Sequence, residues 1–218
     1  DIERLYYVGM VKLGGSLANS GKLAQWLDVI GATGAGKVVL VPGGGPWANE
    51  VRAAQQREGF DDRAAHRKAL RAMERYARVL ASMRPNLVLA SSVVGIQEIL
   101  RNGQIALWMP YAMVVEETSI PESWDVTSDS LAAWLALRLD ASGLLLVKSL
   151  QIDGPQPGIE ELVRRGWVDA AFGKFTSGVR FPVVLVGQGD RQAAQRMLNA
   201  AASTVATNPA QAVRELNN

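Results

Sequence analysis

The run Val8-Gly9-Met10-Val11-Lys12-Leu13-Gly14-Gly15-Ser16 constrains the fold more than any other stretch. Its apolar part reads as a buried strand. It delivers a lysine near its carboxyl end before two glycines break it into a loop. Without Cβ atoms, a glycine loop lets backbone N–H groups come close to an anion. A helix signal follows directly, so the loop also faces a helix N-terminus, where negative charge is favoured. The lysine precedes the glycines, so this is not the P-loop pattern, in which it follows them. A second apolar run at 37–41 ends in Pro42-Gly43-Gly44-Gly45-Pro46. Two successive strands ending in glycine turns predict two anion sites facing each other at one sheet edge.

Periodicity fills in the rest. Ser20 is placed to cap a helix that buries Leu23, Trp26, Leu27 and Ile30, so the first two strands and this helix form a β-α-β unit with a right-handed crossover. Helices are predicted at 47–57 and from Asp61 or Asp62 to about Met83, the second burying Ala65, Ala69, Met73, Tyr76 and Leu80. Further strands are predicted at 87–90, 105–109, 113–116, 144–147, 183–186 and, as an edge, 203–207. Helices are predicted at 94–101, 158–166 and 191–201. Thr127 or Ser128 is placed to cap one more helix, with Leu131, Trp134, Leu135 and Leu139 as its buried stripe and Asp129 in its first turn. Alternating strands and helices predict an α/β fold, a three-layer αβα sandwich with a mainly parallel central sheet. No linker or repeat interrupts the chain, so a single domain over 1–218 is expected.

Composition narrows the chemistry. Hydrophobic residues make up 48% and charged residues 20%, enough for a globular core. No apolar run approaches a membrane span and no secretory signal opens the sequence, so a cytoplasmic protein without a membrane partner is expected. A net charge of +2 is too weak to point to nucleic acid. There is no cysteine, which excludes disulfides, a thiolate nucleophile and cysteine-ligated zinc. His66 is the only histidine, which excludes a multi-histidine metal site. A Ser-His-Asp triad would have to use it, and no nucleophile elbow lies nearby. Lysine, arginine, carboxylates, hydroxyls and backbone amides remain. That inventory suits phosphoryl transfer, which needs positioning and charge neutralisation.

Asp129 is the informative carboxylate: either a plain helix cap or an anchor for lysine ammonium groups beside a transferred phosphoryl group. Lys12 and Lys148 both end apolar strands, and parallel strands bring their carboxyl ends to one active edge. Lys12 is expected to face the site from a strand end, outside the core. Lys174 follows Gly173 and can bend toward a ligand.

Val11-Lys12-Leu13-Gly14-Gly15-Ser16, Pro42-Gly43-Gly44-Gly45, Thr127-Ser128-Asp129-Ser130-Leu131-Ala132-Ala133 and the late Lys174 stand in the order seen in the amino acid kinase superfamily, which the chain resembles over nearly its whole length. The segment from Trp124 and the compact length are most similar to its methanofuran-biosynthesis branch. That branch phosphorylates (aminomethyl)furanmethyl phosphate to the diphosphate. The resemblance implies an ATP-dependent kinase working with Mg²⁺ on a small phosphorylated acceptor. Lys12 would neutralise the phosphoryl group in flight, and Asp129 would orient Lys12 and a second lysine, Lys174 first among the candidates. Gly14, Gly15 and Ser16, with Lys148 and Ser149, would contact the nucleotide. Gly43, Gly44 and Gly45, with Arg52 and Arg63, would hold the acceptor, and Arg67 is a candidate of the same kind. An ammonium on the acceptor would need a carboxylate, for which Glu50, Asp61 and Asp62 are available. No protein metal ligand is assigned, and a homo-oligomer, dimeric or larger, is implied by analogy alone. Many superfamily members carry Thr-Asp where this chain has Lys148-Ser149. An acceptor phosphate is already ionised near neutral pH, so no general base is needed, which agrees with a single histidine. The competing readings are a kinase for uridylate, isopentenyl phosphate or an amino acid, and a non-catalytic nucleotide- or oxyanion-binding module.

Overall fold

The computed structural model describes residues 9–152, 155–192, 194–196 and 198–199. Six strands, β1 (Gly9–Leu13), β2 (Val38–Pro42), β3 (Leu87–Ala90), β4 (Ile105–Trp108), β5 (Gly143–Lys148) and β6 (Val183–Gly187), form one sheet in the order β3-β4-β2-β1-β5-β6. Every neighbouring pair is parallel. Every residue of β1, β2 and β4 is buried, as expected of strands covered on both faces.

The helices are α1 (Leu23–Thr33), α2 (Gly45–Glu58), α3 (Asp62–Met83), α4 (Val93–Arg101), α5 (Tyr111–Val114), α6 (Ser128–Arg138), α7 (Ile159–Arg164) and α8 (Phe172–Phe175). Strand alternation sorts the core into two layers. Met10, Val39, Val41, Leu144 and Leu146 pack with Leu131 and Leu135 of α6, Leu162 of α7 and Phe172 of α8. Val11, Leu13, Leu40, Leu145 and Val147 pack on the other face with Trp26, Leu27 and Ile30 of α1 and Tyr76, Ala77 and Leu80 of α3. This is the three-layer α/β arrangement anticipated from the sequence. From β1 the sheet runs through β2, β4 and β3 to one edge, and through β5 and β6 to the other. Ligand crevices in open α/β sheets form at the carboxyl ends where the order reverses, here at β1 and β5.

Several local expectations are corrected. A 3₁₀ turn at Gly15–Asn19 precedes α1. Ser20 does not cap α1: its hydroxyl donates to the Leu17 carbonyl at 2.9 Å and accepts from the Lys22 amide at 3.2 Å. The predicted strand at 113–116 is replaced by α5, started by Pro110 and held by the buried Glu74 carboxylate, which accepts from the Tyr111 amide at 3.1 Å. α6 has no single stripe, because Ser128 through Ala136 are all buried between the sheet and α7 and α8. Leu139 lies at its C-cap and is only partly buried. The described residues within 191–199 are helical, and the edge strand predicted at 203–207 lies outside the described residues. No helix among the described residues is long and apolar enough to cross a membrane.

The two glycine turns touch. The Gly43 amide donates to the Leu13 carbonyl at 2.8 Å. A Cβ on Gly43 would lie 2.4 Å from the Gly15 nitrogen, and a Cβ on Gly15 would lie 2.4 Å from the Gly45 nitrogen. Gly45 adopts φ +58°, in the left-handed region that favours glycine. Gly43→Ala forces backbone against backbone, so a stability loss of about 1–3 kcal/mol is expected in urea unfolding. An unchanged midpoint would show that the turns separate freely.

Candidate active site

Register places the two strand-end lysines. Lys12 lies opposite Leu146 on the neighbouring β5, and Lys148 is two residues further on. Residues two apart on a strand share a face, so Lys12 and Lys148 project to the same side of the sheet. That side is covered by α6, whose first turn carries Asp129. The Lys12 ammonium lies 2.7 Å from Asp129 Oδ1, and the Lys148 ammonium 2.5 Å from Oδ2. Lys12 and Asp129 are each 3% exposed.

Two ammonium groups share one carboxylate, so the cluster carries excess positive charge. Burial alone would raise the Asp129 carboxyl, but the Lys12 and Lys148 ammonium groups outweigh it and hold the group below the usual carboxylate range. Burial, reinforced by the Lys12 charge, pushes Lys148 down to about 8 even though Asp129 pulls it up. Lys12 is thus not at the margin of the core, as its strand-end position suggested. Replacing it would leave Asp129 paired with Lys148 alone.

A distant segment holds the α6 N-terminus. Thr127 is the N-cap but makes no side-chain capping bond. Instead, the Asp169 carboxylate accepts from the Thr127 amide at 2.8 Å, the Thr127 hydroxyl at 2.8 Å and the Ser130 amide at 3.0 Å, and from the Ser130 hydroxyl. Burial and the neighbouring Asp129 charge raise the Asp169 carboxyl, while these donors oppose the rise. Asp169 therefore fixes the helix turn from which Asp129 reaches the lysines.

Above the cluster opens a cavity of about 390 Å³, within the usual range for small-ligand sites. Lys12, Lys148, Gly14, Gly15, Ser16, Gly44 and Gly45 line one part of it. Leu70, Met73, Val126 and Leu131 form apolar wall, with Trp124, Arg52 and His66 beside them. The Arg52 guanidinium stacks 3.8 Å over the Trp124 ring. No carboxylate lines this cavity among the described residues.

The remaining predicted residues fall elsewhere. The second lysine on Asp129 is Lys148, whereas Lys174 is exposed on α8 and does not line the cavity. Ser149 is exposed, and its hydroxyl bonds that of Ser16. Gly43 backs onto Gly15 and does not line the cavity. Arg63 and Arg67 both pair with Glu122, at 2.8 and 2.7 Å. Glu50, Asp61 and Asp62 do not line the cavity; Asp61 caps α3, and Asp62 accepts from Gln55 at 2.8 Å. Sequence reasoning missed Asp169, Asn19, Asn49 and the cavity role of His66. Asn49, in the first turns of the helix after the second glycine loop, was findable by position; the others depend on contacts between distant segments.

The sequence model of the amino acid kinase family matches residues 10–151. The chain is 26% identical over 146 residues to the (5-(aminomethyl)furan-3-yl)methyl phosphate kinase of Methanocaldococcus jannaschii, a match spanning 66% of each chain. The fold is similar to the crystal structure of uridylate kinase from Archaeoglobus fulgidus, with a TM-score of 0.64, 16% identity, and coverage of 88% of this chain and 95% of that one. UMP kinase from Bacillus anthracis gives a TM-score of 0.65, 15% identity, and coverage of 88% and 91%.

Lys148 supplies a testable pH dependence. Its lowered pKa means that it carries charge below about 8 and loses it above, earlier than a free lysine would. The affinity of the cavity for inorganic triphosphate, measured by calorimetry, should therefore fall as pH rises through about 8, and Lys148→Met should flatten that limb. A pH-independent affinity would mean that Lys148 does not meet the anion.

Proposed function

The chain belongs to the amino acid kinase family and is a small-molecule phosphotransferase, and we propose that it uses ATP to phosphorylate an acceptor that already bears a phosphate. The observation that carries this reading is the buried Asp129 carboxylate held between Lys12 and Lys148 beneath two glycine turns. Charge in phosphoryl transfer spreads over the equatorial oxygens of the moving group. Pre-aimed ammonium groups and backbone amides in a water-poor site stabilise such charge without reorganisation.

Each part has a task in this reading. Lys12 and Lys148 face the transferred phosphoryl group and the nucleotide phosphates. Asp129 keeps both ammonium groups aimed and draws the Lys148 pKa upward against its burial. Gly14, Gly15 and Ser16 offer donors to the nucleotide, and Gly44 and Gly45 close around the acceptor phosphate. Arg52, with no carboxylate paired to it among the described residues, is the cation nearest to hand for the acceptor's anionic end. An acceptor phosphate attacks with an oxygen that is already ionised, so no side chain has to remove a proton.

Mg²⁺ fits this cavity only as a companion of the nucleotide. No carboxylate lines the cavity among the described residues, and both oxygens of Asp129 are taken by ammonium groups. Bound to phosphate oxygens, the ion would supply charge neutralisation.

The acceptor that fits best is a phosphorylated aminomethylfuran, the compound named for the Methanocaldococcus relative. The apolar wall of Leu70, Met73, Val126 and Leu131 suits a flat ring, and Arg52 suits a phosphate. Turnover with ATP on a panel holding this compound, uridylate, isopentenyl phosphate and amino acids tests the assignment. The furan phosphate should give the highest kcat/KM; preference for another member would replace the substrate while leaving the chemistry. Asp129→Asn should lower kcat by about 10²–10³ with nucleotide still bound. An unaltered kcat would reduce Asp129 to a structural group.

A further inference from the structure

His66 is the one histidine of the chain, and the phosphotransfer reading gives it no task. It sits in the second turn of α3, is 4% exposed, and lines the cavity. Its Nδ1 lies 3.3 Å from the carbonyl oxygen of Ser123. A carbonyl only accepts, so that contact assigns the ring proton to Nδ1. Nε2 is then a bare lone pair, and it is buried without a hydrogen-bond partner. Buried polar atoms are nearly always satisfied, so an orphan on a residue that lines a cavity calls for an explanation.

Its surroundings keep the ring neutral. Burial lowers its pKa and Arg67 adds to that, while the Ser123 carbonyl and Glu122 oppose it. Ala69, Leu70 and Met73 of α3 and Val126 line the same cavity, and none of them can donate a hydrogen bond from its side chain. The carboxylates expected to receive a cationic group, Glu50, Asp61 and Asp62, do not line the cavity. A ligand bearing an N–H or O–H donor therefore has Nε2 as an acceptor within the apolar part of the cavity.

We propose that His66 is a specificity-determining residue whose Nε2 accepts a hydrogen bond from an amine or hydroxyl on the non-reacting part of a small phosphorylated acceptor. This rests on the reading above only in seating the acceptor in this cavity. A ligand with such a group gives the histidine lone pair the partner it lacks in the free protein, a ligand without one gains nothing there, and that difference produces the discrimination.

Three probes separate the possibilities: meta-(aminomethyl)benzyl phosphate, meta-(hydroxymethyl)benzyl phosphate and meta-methylbenzyl phosphate. Calorimetric titration of the protein should show at least one donor-bearing compound binding about tenfold more tightly than the methyl compound, the worth of one hydrogen bond. Tighter binding of the amine alone, or of both donors, identifies the group that Nε2 reads. His66→Leu should erase the gap, and His66→Gln, which keeps an acceptor oxygen, should retain part of it, with ATP affinity unchanged in both. Because the chain has a single histidine, isotope-labelled His66 gives one pair of ring-nitrogen signals. The Nε2 signal should shift with the donor-bearing probe and stay with the methyl one. Equal binding of all three compounds, no binding of any, or an undiminished gap in His66→Leu would overturn the assignment. A binding gap with no phosphate transferred from ATP to any probe would instead sink phosphorylation of such acceptors, and leave His66 in its role.

Discussion

The buried contact of one carboxylate with two ammonium groups is the constraint around which the rest of this molecule is arranged. Asp129, Lys12 and Lys148 come from a helix and two strands that are far apart in sequence. They meet because β1 and β5 are parallel neighbours in a register that puts Lys12 and Lys148 on one face. They stay together because α6 is buried along its first nine residues and its N-terminus is tied down by Asp169. An isolated ammonium at that depth would shed its proton, and an isolated carboxylate would take one up. The pairing is what allows charge to persist there.

Most of the fold was legible because parallel strands covered on both faces are written as short continuous apolar runs, and the first two of those runs end in glycine turns. The β1 and β2 turns, Lys12 and Asp129 carried their meaning locally: a cation at a strand end and an anion in a first helical turn. What failed was non-local. Whether Lys148 or Lys174 meets Asp129 depends on the register between β1 and β5, which no local pattern encodes. Arg63 looked free in sequence, but Glu122, far along the chain, takes it up at 2.8 Å. Asp169 had no visible signal, since its four donors come from residues about forty positions earlier. The stretch at 113–116 reads as a strand by composition, and the buried Glu74 carboxylate, an α3 side chain that accepts from the Tyr111 amide, helps hold the helical turn instead. His66 was weighed solely as a catalytic base, although its burial against the Ser123 carbonyl gives it a different use.

The charge balance of the cavity also explains why the cluster tolerates its own cost. Two cations against one anion leave a surplus, and the surplus shows in Lys148, whose pKa is driven down to about 8 by burial and by Lys12. A polyphosphate placed beside it supplies the missing negative charge and raises that pKa again, so ligand binding and proton retention by Lys148 reinforce each other. The strain of holding like charges close is present in the free protein and relieved when an anion enters. Interactions that strengthen as negative charge concentrates at the site are the kind that lower a barrier, and ones felt equally by free and bound states are not. A more evenly balanced cluster, with a second carboxylate, would be easier to bury and would do less for a phosphoryl group in transit.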